Sequence, residues 1–266
     1  MTGSNLSTEQ RKFYAANGFI KLEQVFSPQE IAAFELAVSS AVSKLHEPNA
    51  DKPPNSDSDA YAAAFTQVMN IWRHEEAVKA LVFDQRLARL ATELMDVSGV
   101  RLYHDQALYK EAHGGFTPWH CDQYYWPLDN DNTVTVWIPL QDTPAEMGPL
   151  AFSAGSHRID LGRNLPIGSD SERIIAQELE AHALPFVQPT FRAGDISFHA
   201  GWTFHRAGPN ATDWPRRAMT VIYMEDGIRL KAPENPNQQV DWQTWCPGAR
   251  VGEPVATHLN PVLYRA

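Results

Sequence analysis

Apolar positions along this chain change their spacing near Gly99. Before it they recur mostly at helical intervals. Ser7 caps a first helix, with Gln10 as its reciprocal partner, and the pattern runs to about Ala16 before Asn17-Gly18 ends it. Phe19–Leu22 reads as a short strand. Ser27-Pro28-Gln29-Glu30 is a second helix start, with proline in the first turn and glutamate closing the capping box. Ile31, Phe34, Val38, Val42 and Leu45 then mark one buried face. Pro48 to Asp59, rich in Asp, Asn, Ser and Pro, is expected to be a loop and a candidate lid. Tyr61 to Leu94 is expected to be mostly helical, broken at Phe83-Asp84, with Leu81, Leu87, Leu90 and Leu94 facing a sheet.

Beyond Gly99 short strand-like runs dominate. Val100–Tyr109, Pro118–Trp126, Thr133–Leu140, Leu150–Phe152, Phe186–Phe191, Asp195–His199 and Ala218–Met224 are the expected strands, with one helix over Ser171–Leu184. After Glu225 the chain is rich in Pro, Asn, Gln and Trp and is expected to pack on the surface or over a site entrance. Helices first and many short strands afterwards predict a mainly β fold with flanking α: an antiparallel double-sheet jelly roll with N-terminal and outer helices. The expected organisation is a single domain over 1–266, with helical support over 1–98, a jelly-roll core over 99–224 and a C-terminal tail or lid over 225–266.

Composition narrows the class. The 266 residues are 43% hydrophobic and carry a formal net charge of -10 with no basic block, which argues against a nucleic-acid partner. No apolar run reaches membrane-spanning length, and residues 1–10 lack a signal-peptide pattern, so no membrane partner and a cytoplasmic location are expected. Only Cys121 and Cys246 are present, too few for a disulfide framework. Monomer and homodimer both stay open.

The chemistry concentrates in Pro118-Trp119-His120-Cys121-Asp122-Gln123-Tyr124-Tyr125-Trp126. On a strand, His120 and Asp122 share one face and Cys121 takes the other. An imidazole beside a carboxylate supplies two-thirds of the two-histidine, one-carboxylate triad that holds non-haem iron and leaves coordination positions open. Zinc accepts the same ligands. The third ligand is expected in Gly194–Asn210, where His199 and His205 compete and spacing does not choose between them.

Several segments in order resemble the phytanoyl-CoA dioxygenase (PhyH) family of iron(II)/2-oxoglutarate oxygenases. They are Phe13-Tyr14-Ala15-Ala16-Asn17-Gly18-Phe19, Trp119-His120-Cys121-Asp122, Trp137-Ile138-Pro139-Leu140-Gln141-Asp142, Gly148-Pro149-Leu150, Gly155-Ser156-His157-Arg158, Gly194-Asp195, His205, Gly208-Pro209-Asn210 and Arg216-Arg217-Ala218. The resemblance implies a double-stranded β-helix of cupin-like type. It also implies iron(II), with 2-oxoglutarate and dioxygen as cosubstrates. His120, Asp122 and His205 become the catalytic metal ligands, and Arg216, eleven residues past His205, becomes the partner of the far 2-oxoglutarate carboxylate. A guanidinium fork suits that carboxylate. Arg217 is the rival and points to the opposite strand face. Trp137, Thr135 and Gln106 are the further expected cosubstrate contacts. The family's frequent serine two residues after the distal histidine is Ala207 here, and its usual glutamine between the first two ligands is Cys121. Asp122 argues against halogenation, because in related iron halogenases a small residue stands in place of the carboxylate and chloride takes its position on the metal.

Substrate contacts are expected from Tyr124 and Trp126, which should face with Asp122 if the strand continues, and from Trp202, Phe204 and Tyr103. His104 is a weaker candidate. The expected reaction is oxidation of an aliphatic C–H of a small organic molecule, such as a natural-product intermediate of secondary metabolism. It ends in hydroxylation, desaturation, cyclisation or epimerisation. The alternative is a catabolic dioxygenase acting on an acyl-CoA or a phosphonate. A CoA arm wants a basic track, and Lys110, Arg158 and Arg206 are scattered.

Overall fold

Both predicted capping boxes form in the computed structural model, which describes residues 5–46 and 65–266. Helix α1 (Thr8–Asn17) starts with Ser7 and Gln10 bonded reciprocally and ends at Gly18, whose φ of 78° is left-handed. Helix α2 (Pro28–Leu45) starts on Ser27 and Glu30 and buries Ile31, Val38 and Val42. Helices α3 (Glu76–Val82) and α4 (Gln85–Met95) meet at the expected break, where the Asp84 carboxylate accepts from the Arg86 amide. Helix α5 spans Ser169–Ala181 and α6 spans Pro236–Trp245. The Pro48–Asp59 loop lies outside the described residues.

The strands are β1 (Phe19–Leu22), β2 (Phe65–Met69), β3 (Gly99–Lys110), β4 (Thr117–His120), β5 (Thr133–Pro139), β6 (Leu150–Ser153), β7 (Phe186–Val187), β8 (Ile196–Ala200), β9 (His205–Ala207), β10 (Arg216–Glu225) and β11 (Val262–Arg265). One sheet runs β1-β8-β5-β10-β3-β11, with β2 also on β3; the other runs β4-β9-β6-β7. These antiparallel sheets and flanking helices are the double-stranded β-helix that the sequence predicts.

Alternation along the large sheet divides packing from chemistry. Val134, Val136 and Ile138 of β5, Phe198 of β8 and Val221 of β10 share a core cluster with Ile31, Val38, Leu81 and Leu87 of the helices. The intervening Thr135, Trp137, His199 and Arg216 are buried on the other side of their strands. The helices thus hold one face, and the opposite face can carry polar groups.

Three expectations need correction. Phe65–Met69 is a strand, not part of a helix. Its β-prone Phe, Thr and Val cover the otherwise open edge of β3 over residues 106–110. The ligand run stops being a strand at His120, because Asp122–Tyr125 is a turn of 3₁₀ helix. The alternation argument for Asp122, Tyr124 and Trp126 therefore fails. Phe186–Phe191 shortens to Phe186–Val187, with Phe191 meeting Thr143 in an isolated bridge. The tail does more than cover a surface, since β11 pairs with β3 and Asp226 joins Arg101 to Arg265 at 2.6 Å each.

Candidate active site

His120 ends β4 and His205 opens β9, and the two residues are register partners in the small sheet. Each ring is locked through Nδ1, which faces a backbone carbonyl: Pro118 at 2.8 Å for His120 and Thr203 at 3.0 Å for His205. Nε2 of both rings then points at Asp122. Its Oδ1 lies 3.8 Å from His120 Nε2 and 3.6 Å from His205 Nε2. One donor atom from each of the three residues fits within 4.8 Å of the others. Two donors on one first-row ion lie at most about 4.4 Å apart, so both imidazole–carboxylate separations suit a shared metal.

Electrostatics agree with that use. Burial pushes the His120 and His205 imidazoles below their ordinary pKa, which leaves Nε2 as a lone pair. Burial opposes ionisation of Asp122, but His205, His199 and His120 around it hold the carboxyl well below the usual range. His199 does not join the group. Its Nε2 lies 3.1 Å from Asp122 Oδ2, and Thr135 Oγ1 donates to the same oxygen at 2.8 Å. The outer oxygen is thereby held while Oδ1 faces the histidines. Partners of this kind typically contribute about 10- to 100-fold to metal affinity. Thr135→Val is accordingly expected to weaken iron(II) binding about tenfold in anaerobic titration. An unchanged affinity would assign the orientation of Asp122 to His199 alone.

A second polar cluster lies where β3 and β10 pair. Arg216 is opposite Lys110 in the ladder, and both side chains are buried, at 2% and 0% exposure. Arg216 Nη1 donates to the Gly148 carbonyl at 2.8 Å, and Lys110 Nζ donates to the Gly208 carbonyl. Gly148 makes this possible: its φ is +66°, and a Cβ there would lie 2.2 Å from the Gly208 oxygen. Burial, Arg216 and Arg206 push the Lys110 amine down to about 6. Beside them Trp137 is buried 5.6 Å from the Arg216 guanidinium, and its Nε1 has no hydrogen-bond partner among the described residues. A buried guanidinium, a buried amine that a bound anion would reprotonate and an orphaned N–H donor fit a small dianion such as 2-oxoglutarate. Arg217 is different: it is about one-third exposed and pairs with Glu35 of α2 at 2.9 Å.

The expected site residues sort by position. Gln106, Trp126, His120 and Asp122 line one cavity of about 260 Å³. Thr135 bonds to Asp122 rather than presenting its hydroxyl to that cavity. Tyr103 is fully buried behind the cavity, against Trp126. Tyr124 and Trp202 line a different surface cavity, with Tyr124 held by Asn237 and Gln238 of α6 and Trp202 stacked on Arg163. Phe204 is a core side chain, packed with Trp119, Cys121 and Ile175. The 3₁₀ turn accounts for this sorting, since it sends Tyr125 and Trp126 toward the cavity and Tyr124 toward α6. Cys121 is buried in the same cluster as Phe204, and burial raises its thiol to about 12.

Lys110 and Asp241 gained no site role from sequence reasoning, and His199, weighed there as a metal ligand, is instead a partner of Asp122. Alternation with Gln106 was the available signal for Lys110. Its pairing with Arg216 depends on a register that only the folded sheet fixes.

A model of the family described as phytanoyl-CoA dioxygenase (PhyH) matches residues 14–218. The chain is 25% identical to a probable alpha-ketoglutarate-dependent hypophosphite dioxygenase of Stutzerimonas stutzeri over 225 residues, 81% of this chain and 77% of that protein. It is 23% identical to the ectoine dioxygenase of Sphingopyxis alaskensis over 274 aligned residues, 96% of this chain and 86% of that one. The solved structure of the non-heme alpha ketoglutarate dependent carbocyclase SnoK from nogalamycin biosynthesis superposes with a TM-score of 0.79 at 26% identity, covering 98% of both chains.

Proposed function

Because the chain belongs to the phytanoyl-CoA dioxygenase family, we propose that it oxidises an aliphatic C–H of a small natural-product intermediate. It is an iron(II)- and 2-oxoglutarate-dependent dioxygenase. One observation carries the reading of the site: His120 Nε2 and His205 Nε2 converge on Asp122 Oδ1, at 3.8 and 3.6 Å. His120, Asp122 and His205 would hold the iron. Arg216, Lys110 and Trp137 would receive the far carboxylate of 2-oxoglutarate. When bound, the iron with its cosubstrate supplies an oxidant strong enough to remove hydrogen from carbon, with dioxygen and 2-oxoglutarate consumed together.

The protein's own residues bind and position. Thr135 and His199 fix the outer oxygen of Asp122. Pro118 and Thr203 carbonyls keep the proton of each ligand imidazole on Nδ1. Trp126, Tyr125, Ile167 and Ile222 form apolar walls that displace water around a substrate. The likeness to the carbocyclase supports ring closure as one outcome. A catabolic role on an acyl-CoA is disfavoured by Asp241 in this cavity and by the lack of lysine or arginine in its lining. We read residues 1–266 as one oxygenase unit. A cytoplasmic location fits two free, buried cysteines. Among the described residues no helix is long and apolar enough to cross a membrane.

The test is succinate release by anaerobically loaded iron(II) protein, given 2-oxoglutarate and dioxygen across a substrate panel. A compound that raises turnover above the uncoupled background supports the reading, and its product mass identifies the outcome. Failure of both iron and 2-oxoglutarate to bind would overturn it.

A further inference from the structure

Strand β3 contains one extra residue beside β10. Leu102 pairs with Tyr223 and His104 with Ile222, so Tyr103 is left over as a bulge. A bulge turns two successive side chains from strict alternation and re-aims them. Here Tyr103 packs against Trp126 and donates its hydroxyl to Asp241 of α6. Next to it, His104 lines the cavity that holds His120 and Asp122. Its side chain is 5% exposed, and Nδ1 has no hydrogen-bond partner among the described residues. The imidazole lies 4.9 Å from the Trp245 ring.

Asp241 lines the same cavity, on the C-terminal segment. Only neutral donors support it: Tyr103 and the Trp245 side chain. None of the residues lining the cavity is a lysine or arginine. Burial, with a smaller push from Asp122 and opposed by these two donors, raises the Asp241 carboxyl to about 7. Burial also pushes His104 down to about 4, so its ring stays neutral. The cavity therefore presents a carboxylate, an orphaned imidazole nitrogen and aromatic walls, with no positive charge of its own.

We propose that Asp241 and His104 form the recognition end of this cavity for a protonated amine, so that the substrate is a small organic cation whose oxidised carbon lies toward His120 and Asp122. The proposal rests on the oxygenase reading for the second half of that statement only. An ammonium would give Asp241 the charged partner it lacks in a site of low dielectric, where charge-assisted hydrogen bonds are strong. The face of Trp126 would add a cation–π contribution. A neutral isostere keeps only an ordinary hydrogen bond, and an anion meets the Asp241 carboxylate. This selectivity separates the substrate from an acyl-CoA, which is a polyanion.

Three probes with one aromatic body test the idea: tyramine, its neutral analogue tyrosol, and 3-(4-hydroxyphenyl)propionate. Each is titrated into oxygen-free protein loaded with iron(II) and 2-oxoglutarate, with tryptophan fluorescence as the readout. Tyramine is expected to bind about tenfold tighter than tyrosol, and the propionate weakest. In Asp241→Asn, which keeps the shape and an acceptor for Tyr103, tyramine should lose about tenfold while tyrosol changes less than about twofold. Equal binding of tyramine and tyrosol, no binding of tyramine, or a preference that survives Asp241→Asn overturns the proposal. The wild-type series decides even if the variant folds poorly. The affinity for 2-oxoglutarate is measured first in the same preparation. Loss there would sink the oxygenase reading, whereas normal 2-oxoglutarate binding without amine preference sinks this inference alone.

Discussion

Asp122→Ala should bind iron(II) at least about 100-fold more weakly than the native chain and show no substrate-stimulated succinate. The side chain supplies the anionic donor of the cluster, with Oδ1 between two imidazoles. Its removal also strands the groups that hold it. Thr135 Oγ1 and His199 Nε2 would lose the acceptor they share at 2.8 and 3.1 Å. The two histidines alone would leave a neutral donor set, which binds a divalent ion less well. Metal affinity comes from anaerobic titration and integrity from the melting temperature. The apo variant should still fold, because the three histidines are carried by separate strands whose backbone pairing does not involve Asp122. A variant that retained full turnover would show that the metal centre lies elsewhere.

Arg216→Ala should weaken 2-oxoglutarate binding on the order of 100- to 1,000-fold, while Arg217→Ala should change it less than about threefold. The two neighbours differ in surroundings rather than in chemistry. Arg216 is 2% exposed, faces Lys110 across the ladder and lies over Trp137. Arg217 turns to α2 and forms a partly exposed pair with Glu35. Such a surface pair contributes about 0–1 kcal/mol to stability and nothing to a ligand on the other face. Calorimetric titration of 2-oxoglutarate into each metal-loaded variant ranks them. A larger loss in Arg217→Ala would move the carboxylate site to the other side of β10.

Local rules made much of the fold legible before any coordinates. Ser7 with Gln10 and Ser27 with Glu30 begin helices because a capping box is a four-residue signal that needs no tertiary partner. The alternation in Thr133–Pro139 is equally local. The errors share a cause: they depend on what lies beside the segment. Phe65–Met69 becomes a strand because the edge of β3 is there to pair with it. The aromatic run after His120 has strand-forming composition, yet Gln123 bonds through its amide to the Gly201 carbonyl and the chain coils. That single departure redirected Tyr124 to α6. Phe204, judged by its nearness to His205 in sequence, points into the core instead. Composition also hid the counterparts of named residues. Lys110 and Arg216 are over a hundred positions apart, and Tyr103 and Asp241 are further still. Only a register, a bulge and a docked tail bring them together.

The buried Lys110–Arg216 pair ties cosubstrate supply to how long the molecule survives. The Lys110 amine sits at about 6 when folded, against about 10.5 in an unfolded chain. Near neutral pH the unfolded chain holds that proton more firmly, so burying Lys110 costs stability, a cost that shrinks as pH rises from about 6 and is gone above the unfolded value. A dianion settling between Lys110 and Arg216 reverses the balance: the amine regains its proton and the fold gains by mass action. Bound 2-oxoglutarate would therefore slow proteolysis of this protein. Proteolytic half-life, followed with and without 2-oxoglutarate at pH 7 and compared with Lys110→Met, would report the linkage; a protection that is equal in both chains would remove Lys110 from it.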